Sequence, residues 1–93
     1  MRPSNSRREG EIARLEANLR DRTAELEATL ESRSKDEQAL VTRIAGLEET
    51  GASRDVLERV ERDLLAARSE LTRTRDDLTA ARRRVDLFDP VNL

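Results

Sequence analysis

The chain has no cysteine, histidine, tryptophan or tyrosine, a single phenylalanine (Phe88), and only two prolines, Pro3 and Pro90, in 93 residues. Each absence removes a class of chemistry. Without His or Cys there is no Ser-His or Cys-His nucleophile pair, no ordinary zinc site and no disulfide framework. The chain is therefore expected to be no enzyme, to hold no cofactor or metal and to act on no small-molecule substrate. It also lacks any apolar run near the roughly 18 residues needed to cross a bilayer. The polar, Arg-rich stretch Met1 to Gly10 has no apolar segment of the kind found in secretory signals. These features read as a soluble cytoplasmic protein, or a piece of one, that binds neither membrane nor nucleic acid.

What is abundant is charge and small aliphatic side chains. Basic residues number 18 and acidic residues 20, for a net charge of −2, and 41% of the chain is charged. The apolar set is mainly Leu, Ala and Val with a single Phe88, which leaves almost no aromatic side chains for a compact globular core. A domain of this size would bury only about 60% of its unfolded surface in any case. High charge is also the mark of disorder, but a disordered chain has no reason to carry a hydrophobic period. Here the period is present.

Residues 1–8 contain Pro3, three arginines and no apolar repeat, and are expected to form a disordered basic tail. From Glu9 to Phe88 there is no proline, strong helix formers dominate, and apolar residues recur at steps of 3, 4 and 7. The spacing predicts helix over 9–88. Residues 89–93 form a C-terminal tail, because Pro90 removes a donor and restricts Asp89. Leu87, Phe88, Val91 and Leu93 resemble a short docking motif, but Phe88 also falls on the helical repeat and is read as the end of that seam.

The repeat has three phases. In the first, Ile12, Leu19 and Leu26 take heptad position a and Leu15 takes d. A four-residue insertion between Leu26 and Leu30 then resets the phase, with Leu30 and Ile44 at a and Leu40 and Leu47 at d. This second phase puts Arg33 and Glu37 on the seam, inside the polar run Glu31 to Gln38. The third phase begins ten residues after Leu47, with Leu57, Leu64, Leu71, Leu78 and Val85 at a and Val60, Ala67, Thr74, Ala81 and Phe88 at d. Shifts of this kind, here near 26–38 and 47–57, locally unwind or overwind a supercoil without ending its helix. Ser34 and Glu37 fit a capping box that would start a new helix. Gly51, with Thr50 or Ser53 as the next N-cap, would suit a turn.

Charge beside the last seam selects an association mode. In a parallel coiled coil a g residue faces the e residue five positions later on the partner strand. The resulting pairs are Asp63–Arg68′, Glu70–Arg75′, Asp77–Arg82′ and Arg84–Asp89′, each opposite in sign. Upstream the pattern is weaker, with one match at Arg43–Glu48′ and a clash at Glu11–Glu16′. The N-terminal half is therefore open to another coiled-coil protein as partner. Four leucines at spacing seven also resemble a leucine zipper, but leucine at d would bury Arg68, Arg75 and Arg82 at a. The region where a DNA-reading basic helix should lie, residues 40–56, holds only Arg43 and Arg54 as basic residues.

The expectation from sequence is thus an all-α protein: an extended parallel two-stranded coiled coil of long helices, homodimeric through the seam residues named above. Its role would be structural, in dimerisation or scaffolding of a cytoskeletal or filament-forming assembly. The alternative is a helical hairpin bent near Gly51, acting as an adaptor that binds another protein. Neither a proline nor a second adjacent glycine supports the turn, which is why the sequence favours the continuous helix.

Overall fold

A computed structural model describes residues 3–88, with side chains from Arg7 onward. Residues 1, 2 and 89–93, and with them Asp89 and the expected C-terminal tail, lie outside the described residues. The fold is all-helical. Helix α1 runs over Pro3–Glu49 and helix α2 over Arg54–Asp86, packed antiparallel as one elongated hairpin of 76 × 23 × 14 Å. Two expectations change. The helix expected to be continuous over 9–88 is divided at residues 50–53, and the stretch expected as a tail is helical from Pro3. A proline in the first helical turn costs little, since its missing N–H would have had no intrahelical acceptor.

The turn is built by local chemistry that the sequence signals only faintly. The Ala52 N–H donates to the Leu47 carbonyl at 3.0 Å and the Gly51 N–H to the Glu48 carbonyl at 3.3 Å. This pair of bonds is the Schellman motif, which requires a left-handed residue at the position after the helix cap. Gly51 supplies it at φ 69°, the only positive φ in the described backbone. Glycine pays no Cβ penalty there. Ser53 then caps α2, its hydroxyl accepting from the Val56 N–H at 3.4 Å, and Asp55 sits in the first turn where the helix dipole favours an acid.

The turn also absorbs the second phase shift. Between Leu47 and Leu57 the apolar seam steps round the helix by one residue, about 100°. A straight supercoil would have to overwind to keep its seam closed across that step, whereas a hairpin simply starts its second helix afresh. The first phase shift is not used at all. The shielded face of α1 runs through Glu16, Leu19, Thr23, Leu26, Leu30, Arg33, Glu37, Leu40, Ile44 and Leu47, alternating steps of 3 and 4, with Thr29 and Ser34 half-buried beside it. The phase of Leu30 and Leu40 therefore extends back through Leu26, and Glu16 stands where the first phase placed Leu15. The Thr23 hydroxyl is satisfied at this face by the Leu19 carbonyl, 2.8 Å away.

The core is a single seam between the helices. Leu26 of α1 packs with Leu78 and Ala81 of α2, and Leu30 lies against them. Toward the turn the buried set continues with Thr74, Leu71, Leu64 and Val60. Small residues at Ala67, Thr74 and Ala81 alternate with the leucines and let the two backbones approach closely.

A candidate interaction surface

The α2 residues read as a dimer seam all lie on the side that faces α1. Val60, Leu64, Leu71, Thr74, Leu78 and Ala81 are buried, and Leu57, Ala67 and Val85 are half-buried; Phe88, just past the end of α2, is half-buried as well. On α1, Leu26 is buried and Leu19, Leu30, Leu40, Ile44 and Leu47 are half-buried against α2. Ile12 and Leu15 are not brought into the seam; they stay 51% and 55% exposed. Within one chain, then, the seam of α2 is already covered by α1.

Midway along the hairpin the seam turns polar. Arg33 donates through Nη1 to the Thr74 hydroxyl and to the Glu70 carbonyl, the latter at 3.4 Å, and its guanidinium lies 3.9 Å from the Glu70 carboxylate. Thr74, only 2% exposed, donates a hydrogen bond from its own hydroxyl to the Glu70 carbonyl at 2.9 Å. One turn closer to the loop, Glu37 meets Arg68 at 3.5 Å. Toward the open end Arg82 meets Glu27 at 3.3 Å. These three ion pairs cross between the helices and fix an antiparallel register.

Of the residues expected to form interchain pairs, Arg68, Glu70 and Arg82 are thus engaged within the chain, with Glu37, Arg33 and Glu27. Asp63, Arg75, Asp77 and Arg84 make no ion pair among the described residues. The sequence places Arg33 and Glu37 on the seam, and the hairpin makes them its polar clamp. Glu27 carried no signal, since it lies outside the g-to-e′ scheme for parallel strands.

The two helices differ in reach. Near the open end Val85 and Arg20, Thr23, Ala24 and Glu27 line one shallow depression of about 200 Å³. Leu19, Arg22, Leu26, Asp77 and Arg84 help line a second, of about 220 Å³, across the seam. Because Val85 is level with Arg20 and Thr23, the stretch of α1 before Leu19 runs past the described end of α2. From Pro3 to Asn18 that extension measures about 24 Å at 1.5 Å per residue.

On this extension the usual arrangement of polar and apolar groups is inverted. Leu15 is exposed, while the neighbouring Glu16, about 100° round the helix, is half-shielded and holds Arg20 at 2.9 Å. Ile12, Leu15 and Leu19 form an apolar stripe at helical spacing that faces no part of α2 over its first two members. Among the described residues no group of three or more acidic side chains is placed to hold a metal ion, and no helix is long and apolar enough to cross a membrane. No protein-family model, curated protein or solved structure matches the chain.

Proposed function

We propose that the chain is an interaction module: a helical hairpin whose two arms hold each other in register and whose N-terminal extension of α1 binds another protein. The observation that carries this reading is the exposure of Ile12 and Leu15 beside the shielded Glu16. Burying those two side chains favours binding by about 25 cal/mol for each Å² of apolar surface removed from water. A helix end that merely protruded into solvent would gain from the opposite arrangement. The reading calls for no catalytic group, cofactor or small-molecule ligand.

A second reading is favoured by a specific observation in the sequence, the four sign-matched pairs from Asp63–Arg68′ to Arg84–Asp89′. It makes the chain one strand of a parallel, in-register homodimeric coiled coil with a structural role in a cytoplasmic, cytoskeletal or filament-forming assembly. That rod and the hairpin compete for one surface, since the seam of α2 can face α1 or a second α2 but not both. The rod therefore requires the hairpin to open and to exchange its three cross-helix ion pairs for interchain ones.

Introducing a single cysteine, Ala81→Cys, decides between them. In a parallel in-register dimer residue 81 meets its own copy, so mild oxidation at low concentration yields a covalent dimer. In the hairpin residue 81 lies against Leu26 of its own chain, and oxidation leaves a monomer. The hairpin module is expected to stay monomeric, with full helicity and a light-scattering mass of one chain. Efficient dimer crosslinking would replace it with the rod.

A further inference from the structure

Resting on the hairpin-module reading, we propose that the stripe Ile12–Leu15–Leu19 receives a helix of another protein whose own apolar seam is flanked by arginine or lysine. Acidic side chains border the stripe. With Ile12 and Leu19 at a and Leu15 at d, the flanking positions on one side are Glu9 and Glu16, and on the other Glu11 and Asn18, with Arg8 at the d position one heptad before Leu15. Both edges carry acid. Glu16 is already held by Arg20, whereas Glu9 and Glu11 make no ion pair among the described residues.

The same charges argue against a second copy of this chain as occupant. Two stripes packed parallel would set Glu11 against Glu16′. Packed antiparallel with Ile12 opposite Leu15 of the other copy, they would set e on e, which brings Glu9 and Glu16 together on that edge twice. A partner helix with basic flanks removes every one of these clashes and converts each into an attraction. From Ile12 to Leu19 the stripe offers such a helix about two turns of contact at 3.6 residues per turn.

The test uses the full chain and a fluorescently labelled synthetic helix of about four heptads, with Ile at a, Leu at d and Lys at e and g. A second peptide is identical but for Glu at e and g. Anisotropy titrations are expected to show the Lys-flanked peptide binding at least about tenfold more tightly, with the difference shrinking as salt is raised. Leu15→Ser, at an exposed position, is expected to abolish binding without loss of helicity. The Glu9→Lys, Glu11→Lys double variant is expected to turn the preference toward the Glu-flanked peptide.

Equal affinity for the two peptides, or binding indifferent to Leu15→Ser, would overturn the proposal. So would a doubling of mass that Leu15→Ser abolishes, which would make a second copy the occupant. Peptide binding that appears only in a chain ended at Phe88 would assign the stripe to residues 89–93 instead. Each of these results leaves the Ala81→Cys outcome untouched, so the partner's chemistry and the hairpin reading fail separately.

Discussion

Arg33 reaches across the hairpin to the hydroxyl of Thr74, a residue only 2% exposed, and so places a charged side chain midway along the seam between the leucines of α1 and α2. A polar residue at a single seam position lowers stability and specifies register. Here the specification is directional, because sliding α2 by one turn would take Thr74 away from Arg33 and put a leucine under the guanidinium.

Arg33→Ala is expected to destabilise the hairpin by about 1 kcal/mol, the net worth of one such bond. The loss stays modest because Thr74 keeps its bond to the Glu70 carbonyl and is not left orphaned. Arg33→Leu together with Glu37→Leu is expected to raise the melting temperature while adding larger species in light scattering, since an apolar seam no longer distinguishes one register or partner from another. A rise in Tm with a mass that remains strictly monomeric would show that the polar layer has no part in specifying the hairpin.

Gly51→Ala isolates the cost of the turn. A Cβ built at Gly51 finds open space, so nothing steric opposes the substitution except the backbone angle of 69°. An L-residue in that region costs about 1–2 kcal/mol. Urea unfolding is expected to lose that amount with no change in slope, and the chain is expected to remain a hairpin because the seam steps round the helix between Leu47 and Leu57. Conversion of Gly51→Ala to a dimer would mean that the glycine alone, and not the phase step, keeps the two arms folded back.

The helices, and the faces they bury, were legible because burial in any helical pair follows the same 3.6-residue geometry, and Leu57 to Phe88 repeats it without a fault. Who supplies the opposing face was not legible. Leu71 needs an apolar neighbour, and a periodic pattern is satisfied equally by a second copy or by the same chain folded back. The turn is faint in the sequence because a Schellman motif needs one glycine and a carbonyl four residues before it, here Gly51 and Leu47, with no proline to announce it. The charges misdirected for a more specific reason. Arg33 and Glu37 occupy seam positions, so their pairing with Glu70 and Arg68 falls outside any comparison confined to g and e. Leu15 lies to one side of the seam because the phase of Leu26 runs back through Leu19 to Glu16, whereas Ile12, four residues before Glu16, keeps that phase and lies past the described end of α2.

Two leucines test where the core ends. Leu71 is 2% exposed and Leu65, six residues earlier on the same helix, is 66% exposed. Leu71→Ala is expected to cost about 2–4 kcal/mol through lost burial and a cavity, enough to unfold much of a hairpin this small. Leu65→Ala is expected to fall within about 0.5 kcal/mol of the parent, as exposed substitutions do. Thermal melts followed by circular dichroism read both. A comparable loss for Leu65→Ala would reveal a covering surface on the outer face of α2, and with it an assembly larger than the hairpin.

The pairing of Arg68 separates the two arrangements of the chain energetically. In the hairpin its guanidinium meets Glu37 at 3.5 Å, and the Glu37 side chain is largely shielded. In a parallel rod its partner would be Asp63 of the other strand. Double-mutant cycles on Glu37→Gln with Arg68→Gln, and on Asp63→Asn with Arg68→Gln, measure each coupling free of the other effects of substitution. The 37–68 coupling is expected at about 0.5–1 kcal/mol, the upper part of the range for ion pairs with solvent access, and the 63–68 coupling near zero. Raising salt should shrink the first and leave the second unchanged. The double reversal Glu37→Arg with Arg68→Glu is expected to recover most of the stability lost by either change alone. Coupling concentrated at 63–68 would transfer Arg68 to the interchain pair and favour the rod.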